Sequence, residues 1–155
     1  MQFISKLLSF VLIGLVFMIT YDAFMRYFLS SGSIALQELE WHLYDLIILI
    51  SIPYTLKLNE HVKVDIFYEH FSVKYQSLID IFAYLVFVVP FSAMILYFSY
   101  DFVMLSYMQN EASSDPGGLS HRFIIKSAIL IAFSLLILQT IQNIKQSYKI
   151  YKGAK

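Results

Sequence analysis

Long apolar runs separated by short polar breaks dominate this chain of 155 residues. The first run, Leu7 to Tyr21, holds no charge and continues past Asp22 and Arg26 to Leu29. A second extends from about Leu39 to Leu56, a third from Ile81 to Tyr100, and a fourth from Ser127 to Ile144. A helix needs roughly 17–25 predominantly apolar residues to cross a bilayer. The third and fourth runs reach that length outright. The first two reach it when their polar ends lie at the interface. The pattern therefore predicts an all-α membrane protein with four transmembrane helices, forming a single domain over residues 1–155.

Lys6 followed by an apolar core, with "SSGS" at 30–33, has the outline of a secretory signal. Asp22, Arg26 and large aromatics separate that core from the small residues, which favours an uncleaved anchor. Four spans put both termini on one side. Lys6, then Lys57, Lys63 and Lys74 in the middle loop, then Lys145, Lys149, Lys152 and Lys155 in the tail share that side. Arg26, Arg122 and Lys126 fall on the other. Basic residues resist translocation, so both termini are predicted to be cytoplasmic, with residues 38–45 near the outer surface.

The middle loop, "KLNEHVKVDIFYEHFSVKYQSLID", opens with strand-like alternation, but a lone strand has no partner. With a helical period, Val64, Phe67, Tyr68, Phe71, Tyr75 and Leu78 share one face and Asp65, Glu69 and Gln76 fall opposite. Lys63, His70 and Lys74 line a flank. That pattern predicts an amphipathic interfacial helix with its lysines near membrane lipids. A cytoplasmic extension of the third span is the alternative. The tail "NIKQSYKIYKGAK" is basic and membrane-facing.

In the last loop, Asp115, Pro116, Gly117 and Gly118 combine a backbone-bonding side chain, a locked φ and two permissive glycines. They predict a defined turn ahead of the fourth span, with Ser120 placed to cap that span and Arg122 and Lys126 at its head. No Gly-Lys-Ser/Thr follows, so the turn is not a phosphate loop.

Composition agrees with the pattern. Hydrophobic residues make up 59% of the chain and charged ones 14%, against about 45–50% and about 25% in soluble domains. Eleven basic and eleven acidic residues cancel, so no field argues for nucleic acid. The absence of cysteine excludes disulfides and thiolate chemistry. No nucleophile with a paired base and no metal-ligand spacing points to an enzyme, and no cofactor is expected.

The puzzle is "LQELEWHLYDLIILI" at 36–50, where acids head an apolar run. On a helix Glu38, His42 and Asp45 share a face with Trp41, while Glu40 and Tyr44 point elsewhere. Asp22 and Arg26 lie at i and i+4 near the same level. Arg26 is expected to pair with Asp22 and with Glu38 or Asp45 of the next helix, since intramembrane charges need partners. Secondary transporters bind substrate near the midplane, at helices broken by Gly or Pro. Here only Gly14, Pro53 and Pro90 interrupt the spans, and the third and fourth carry no interior charge. Helix stitching or partner contact is the better reading. A haem-binding electron-transfer subunit is the second class. His42 and His121 would share one side and His61 and His70 the other, yet three of the four lie in loops.

The runs "ALQELEWHLYDL", "HVKVDIFYEHFS" and "SSDPGGLSHRFIIK", in this order, resemble the small membrane subunit of tripartite ATP-independent periplasmic (TRAP) transporters, the DctQ-like family. Arg26-Tyr27 and the acids Glu38 and Glu40 also match. Trp41 follows the acids here, whereas the family's Trp more often precedes them, a departure that bears on substrate. The resemblance implies an accessory subunit in a bacterial inner membrane. It would pair with a large permease that carries the sodium and substrate sites and moves as an elevator. A periplasmic substrate-binding protein would deliver a carboxylate such as a C4-dicarboxylate or a sialic acid. On that view Asp22, Arg26, Glu38 and Asp45 fasten the first two spans, with Glu40 and Trp41 beside them. The middle-loop residues His61, Lys63, Asp65, Phe67, Phe71 and Lys74 anchor the interfacial helix. Glu111 and the 113–122 turn, with Asp115, Pro116, Gly117, Gly118 and Arg122, would lie on the periplasmic side within reach of the binding protein.

Overall fold

A computed structural model describes residues 2–58, 68 and 70–153 of the chain. Among them the regular elements are all helical: α1 (Gln2–Phe28), α2 (Ile34–Leu58), α3 (Val73–Ala83), a π-helical turn (Tyr84–Val88), α4 (Val89–Met108) and α5 (Phe123–Gly153). Among the described residues three stretches are long and apolar enough to cross a membrane: Ile4–Phe28, Val73–Met108 and Phe123–Gly153. The second of these is α3, the π turn and α4 in continuous succession. α2 has 25 residues, a length of about 37 Å at about 1.5 Å per residue, but its acids and His42 leave it outside the apolar set.

Local chemistry explains the helix ends. α1 stops where Ser30 takes φ +46°, and the Ser31 N–H donates to the Met25 carbonyl at 3.2 Å. α4 stops the same way, with Asn110 at φ +49° and Glu111 N–H on the Ser106 carbonyl at 3.0 Å. Both ends are left-handed caps that satisfy orphan carbonyls. Ser33 opens α2, its hydroxyl accepting from Leu36 N–H at 3.4 Å, so the small residues after α1 serve as a helix cap. Ser120 does not cap α5. Its hydroxyl bonds the His121 ring nitrogen at 2.9 Å instead, and the helix starts at Phe123.

Pro90 lacks an N–H, and its ring would crowd the carbonyl four residues back. The π turn directly ahead of it relieves that crowding, with Val89 N–H reaching the Tyr84 carbonyl. The middle-loop residues His61, Lys63, Asp65 and Phe67, assigned above to an interfacial helix, lie outside the described residues. From Val73 onward the loop sequence belongs to the continuous helical stretch Val73–Met108. That matches the extension reading for this part. Tyr68 is tied to α3, its hydroxyl donating to Asp80 at 2.9 Å while its carbonyl accepts from Gln76 at 3.0 Å. Burial and the Asp80 carboxylate push the phenol well above its usual range.

The chain divides into two compact units, Met1–Ile50 with Asp101–Ala128, and Ser51–Tyr100 with Ile129–Lys155. In the second, Leu56, Tyr84 and Leu136 are buried together, with Ile52, Val88, Phe133 and Ile144 packed on them. Asn143 ties this core. Its amide donates to the Leu56 carbonyl at 3.0 Å and to the Tyr84 hydroxyl at 3.4 Å, and its oxygen accepts from Gln139 at 2.8 Å. Leu56 lies in the last turn of α2, where carbonyls have no partner within the helix. In both units buried side chains include small or polar ones such as Ala128, Ala132, Ser77, Ser92, Ser106, Thr140 and Ser147, whereas Phe10, Phe17, Phe87 and Phe98 are exposed. Small and hydroxylated residues inside with large apolar ones outside is how helices pack in lipid.

Replacing Asn143 with Leu should lower stability by about 1 kcal/mol, the scale of a helix–helix hydrogen bond in membranes. Unfolding in mixed micelles, followed by circular dichroism, measures it.

Candidate functional site

The polar chemistry of the first unit gathers in two places. One is the loop between α4 and α5, which closes on the head of α2. Asp115 to Gly118 form a turn with Gly118 N–H on the Asp115 carbonyl at 3.0 Å and Gly117 at φ +85°. Pro at the second position and Gly at the third are what a type II turn requires. Ser113 N–H donates to the Leu119 carbonyl at 2.9 Å, cinching the loop.

Glu38 reaches into this loop. One oxygen accepts from the Ser113 hydroxyl and the other from Leu119 N–H at 2.6 Å, with Arg122 3.9 Å away. A Cβ added at Gly118 would run into Ser113 and lie 2.8 Å from Glu38 Oε2, so the carboxylate fits because residue 118 has no side chain. The Ser113 and Leu119 bonds, with Arg122 behind them, hold the Glu38 carboxyl below its usual value. Glu111 is the second fastening. Lys126 of α5 donates to its carboxylate, Arg122 N–H donates to its backbone carbonyl at 3.0 Å, and the Lys126 ammonium sits 4.1 Å from the Phe102 ring centroid. The Lys126 ammonium holds the Glu111 carboxyl below its usual value as well.

The other place is the α1–α2 pair. Arg26 bonds Asp22 at 2.8 Å, and Asp22 is only 1% exposed. Glu40 of α2 lines the same cleft as Arg26. The cleft, about 540 Å³, is also lined by Leu15 and Ile19 of α1 and by Gln37, Trp41 and Tyr44 of α2.

These positions depart from the expected pairing. Arg26 bonds Asp22 on its own helix, but the acid facing that pair from α2 is Glu40, while Glu38 turns to the loop. The two are about 200° apart around a helix, so they serve opposite neighbours. Asp45 is exposed and forms no ion pair among the described residues. Trp41 stands outward at 68% exposure. Phe71 is exposed ahead of α3, and the Lys74 ammonium lies 5.2 Å from the Tyr151 ring centroid. His121 sits in the loop at φ +61°. Sequence reasoning singled out Glu111, the 113–122 turn and Lys126, but not the bonds of Ser113 and Leu119 to Glu38 or the pairing of Glu111 with Lys126. An acid and a lysine flanking an Asp-Pro-Gly-Gly turn were the available signal.

Membrane-length apolar helices, buried small polar side chains and a fastened inter-helix loop define a helical membrane component. Residues 15–149 match the family model of the tripartite ATP-independent periplasmic transporters, DctQ component. The chain belongs to the DctQ family, and is a small permease component of a TRAP transporter. No curated protein sequence matches it.

Gly118→Ala should speed amide exchange across residues 113–119 by about tenfold, the consequence of a displaced loop, and leave the α5 amides unchanged. Hydrogen–deuterium exchange with mass spectrometry reads both. Acid should also open the loop. Glu38 and Glu111 ionise at lower pH in the fold than their ordinary 4.5. Their contribution is complete above pH 4.5 and is lost as pH falls through the lowered folded values. Protection of residues 111–122, corrected for intrinsic exchange, should stay flat above that pH and drop below it.

Proposed function

We propose that this chain is the accessory scaffold of a sodium-driven TRAP transporter for organic acids. It pairs with a large elevator-type permease that carries the sodium and substrate sites. A periplasmic binding protein delivers a carboxylate, of the C4-dicarboxylate or sialic-acid kind. The observation that carries this reading is the family match over residues 15–149. The engagement of Glu38 and Glu111 supports it, because both carboxylates are held by donors of the chain itself. Carboxylates with donors of their own chain already aimed at them suit helix fastening better than the passage of a moving ion.

In this reading α2 is the fourth crossing, lined up with partner protein along its polar face, and the protein lies in the bacterial inner membrane. Both termini are cytoplasmic, following the lysines at 6, 57, 74, 145, 149 and 152. The Asp115–Gly118 loop then faces the periplasm, and its rigid turn is the surface offered to the binding protein. The middle loop meets lipid headgroups on the other side.

Purification of the tagged chain from its native membranes in mild detergent tests this. A polytopic permease should co-purify in fixed stoichiometry. Recovery of the chain alone, as a stable homo-oligomer, would falsify the accessory role.

A further inference from the structure

The cleft between α1 and α2 holds an electrostatic debt that the chain does not settle. Asp22 and Glu40 bring two carboxylates to one guanidinium, Arg26, which among the described residues hydrogen-bonds Asp22 Oδ2 alone. Asp22 Oδ1 and Glu40 Oε1 are both buried without a hydrogen-bond partner among the described residues. A buried acceptor left unmade is costly, and a buried charge without a counter-charge more so. Asp22 is almost wholly buried. Its place in the fold is settled, and it is the missing donor that needs an account.

We infer that this cleft receives a membrane-spanning helix of a partner subunit, which presents one lysine or arginine side chain to Glu40. The charge balance selects the occupant. A single cation neutralises the surplus negative charge and supplies N–H donors. A zwitterionic lipid headgroup adds no net charge, and an anionic one adds the wrong sign. The walls fit a protein side chain. Trp41 and Tyr44 stand exposed beside Glu40, and aromatic residues with a paired charge are the usual anchors of a protein interface. Leu15 and Ile19 lie two to three turns along α1 from Arg26, giving the same helix an apolar seat below its cation. The inference rests on the accessory role proposed above, in that it needs a partner with membrane helices.

The absence of cysteine makes the test clean, because Gln37→Cys places a single thiol at the cleft. Labelled in native membranes with a thiol-reactive photo-crosslinker, it should attach to a partner helix within about a turn of a Lys or Arg. Glu40→Gln, which keeps shape and removes charge, should lower recovery of the complex by at least about tenfold. Neutralising the partner cation in the same complex should restore part of the loss, because two absent charges leave none unpaired. Attachment to lipid alone, or to a helix with no nearby cation, overturns the inference. Full recovery of the complex with Glu40→Gln overturns it too, while leaving the accessory role standing. If the unmodified chain brings down no permease, the accessory role itself fails. Should Glu40→Gln not fold, the crosslink in the Gln37→Cys chain still decides.

Discussion

A bilayer offers no water to satisfy a polar group, and the rest of this structure follows from that constraint. Every backbone carbonyl released at a helix end must find a donor within the protein. Asn143 supplies one to Leu56 at the end of α2, and the left-handed caps at Ser30 and Asn110 supply others. The π turn before Pro90 answers the same demand inside a helix. The hydrophobic effect cannot drive helices together in lipid, because the surroundings are as apolar as the side chains. Close packing and internal hydrogen bonds do so instead. This is why Ser92, Ser106 and Thr140 are buried while Phe10, Phe87 and Phe98 are not.

The same constraint sets the arrangement of the acids. A carboxylate at the head of an apolar helix is tolerable only with donors aimed at it. Glu38 has a hydroxyl, an amide and a guanidinium, and it turns the loop before α5 into a fixed lid on the head of α2. Gly118 makes the approach possible by having no side chain, and Pro116 with Gly117 sets the turn that brings Ser113 and Leu119 into line. Glu111 and Lys126 close the other edge of the loop. Glu40, one helical half-turn from Glu38, has no such set of donors among the described residues. The contrast between the two acids separates a fastening internal to the subunit from one that calls for another chain.

Much of this was written in the residues. The apolar runs, the inventory of charges and the Asp-Pro-Gly-Gly turn follow from local chemistry, which acts over a few residues and is legible without a fold. So is the i, i+4 pairing of Asp22 with Arg26. The sequence by itself determined a helical membrane protein with a stiff turn before its last helix. Only the tertiary structure decided which acid meets which neighbour. Ser113 is 75 residues from Glu38 and Asn143 is 87 from Leu56. No periodicity reports such distances, and a rotation of α2 by a fraction of a turn would exchange the roles of Glu38 and Glu40. That rotation is set by packing summed over the whole helix, which no short stretch of sequence contains.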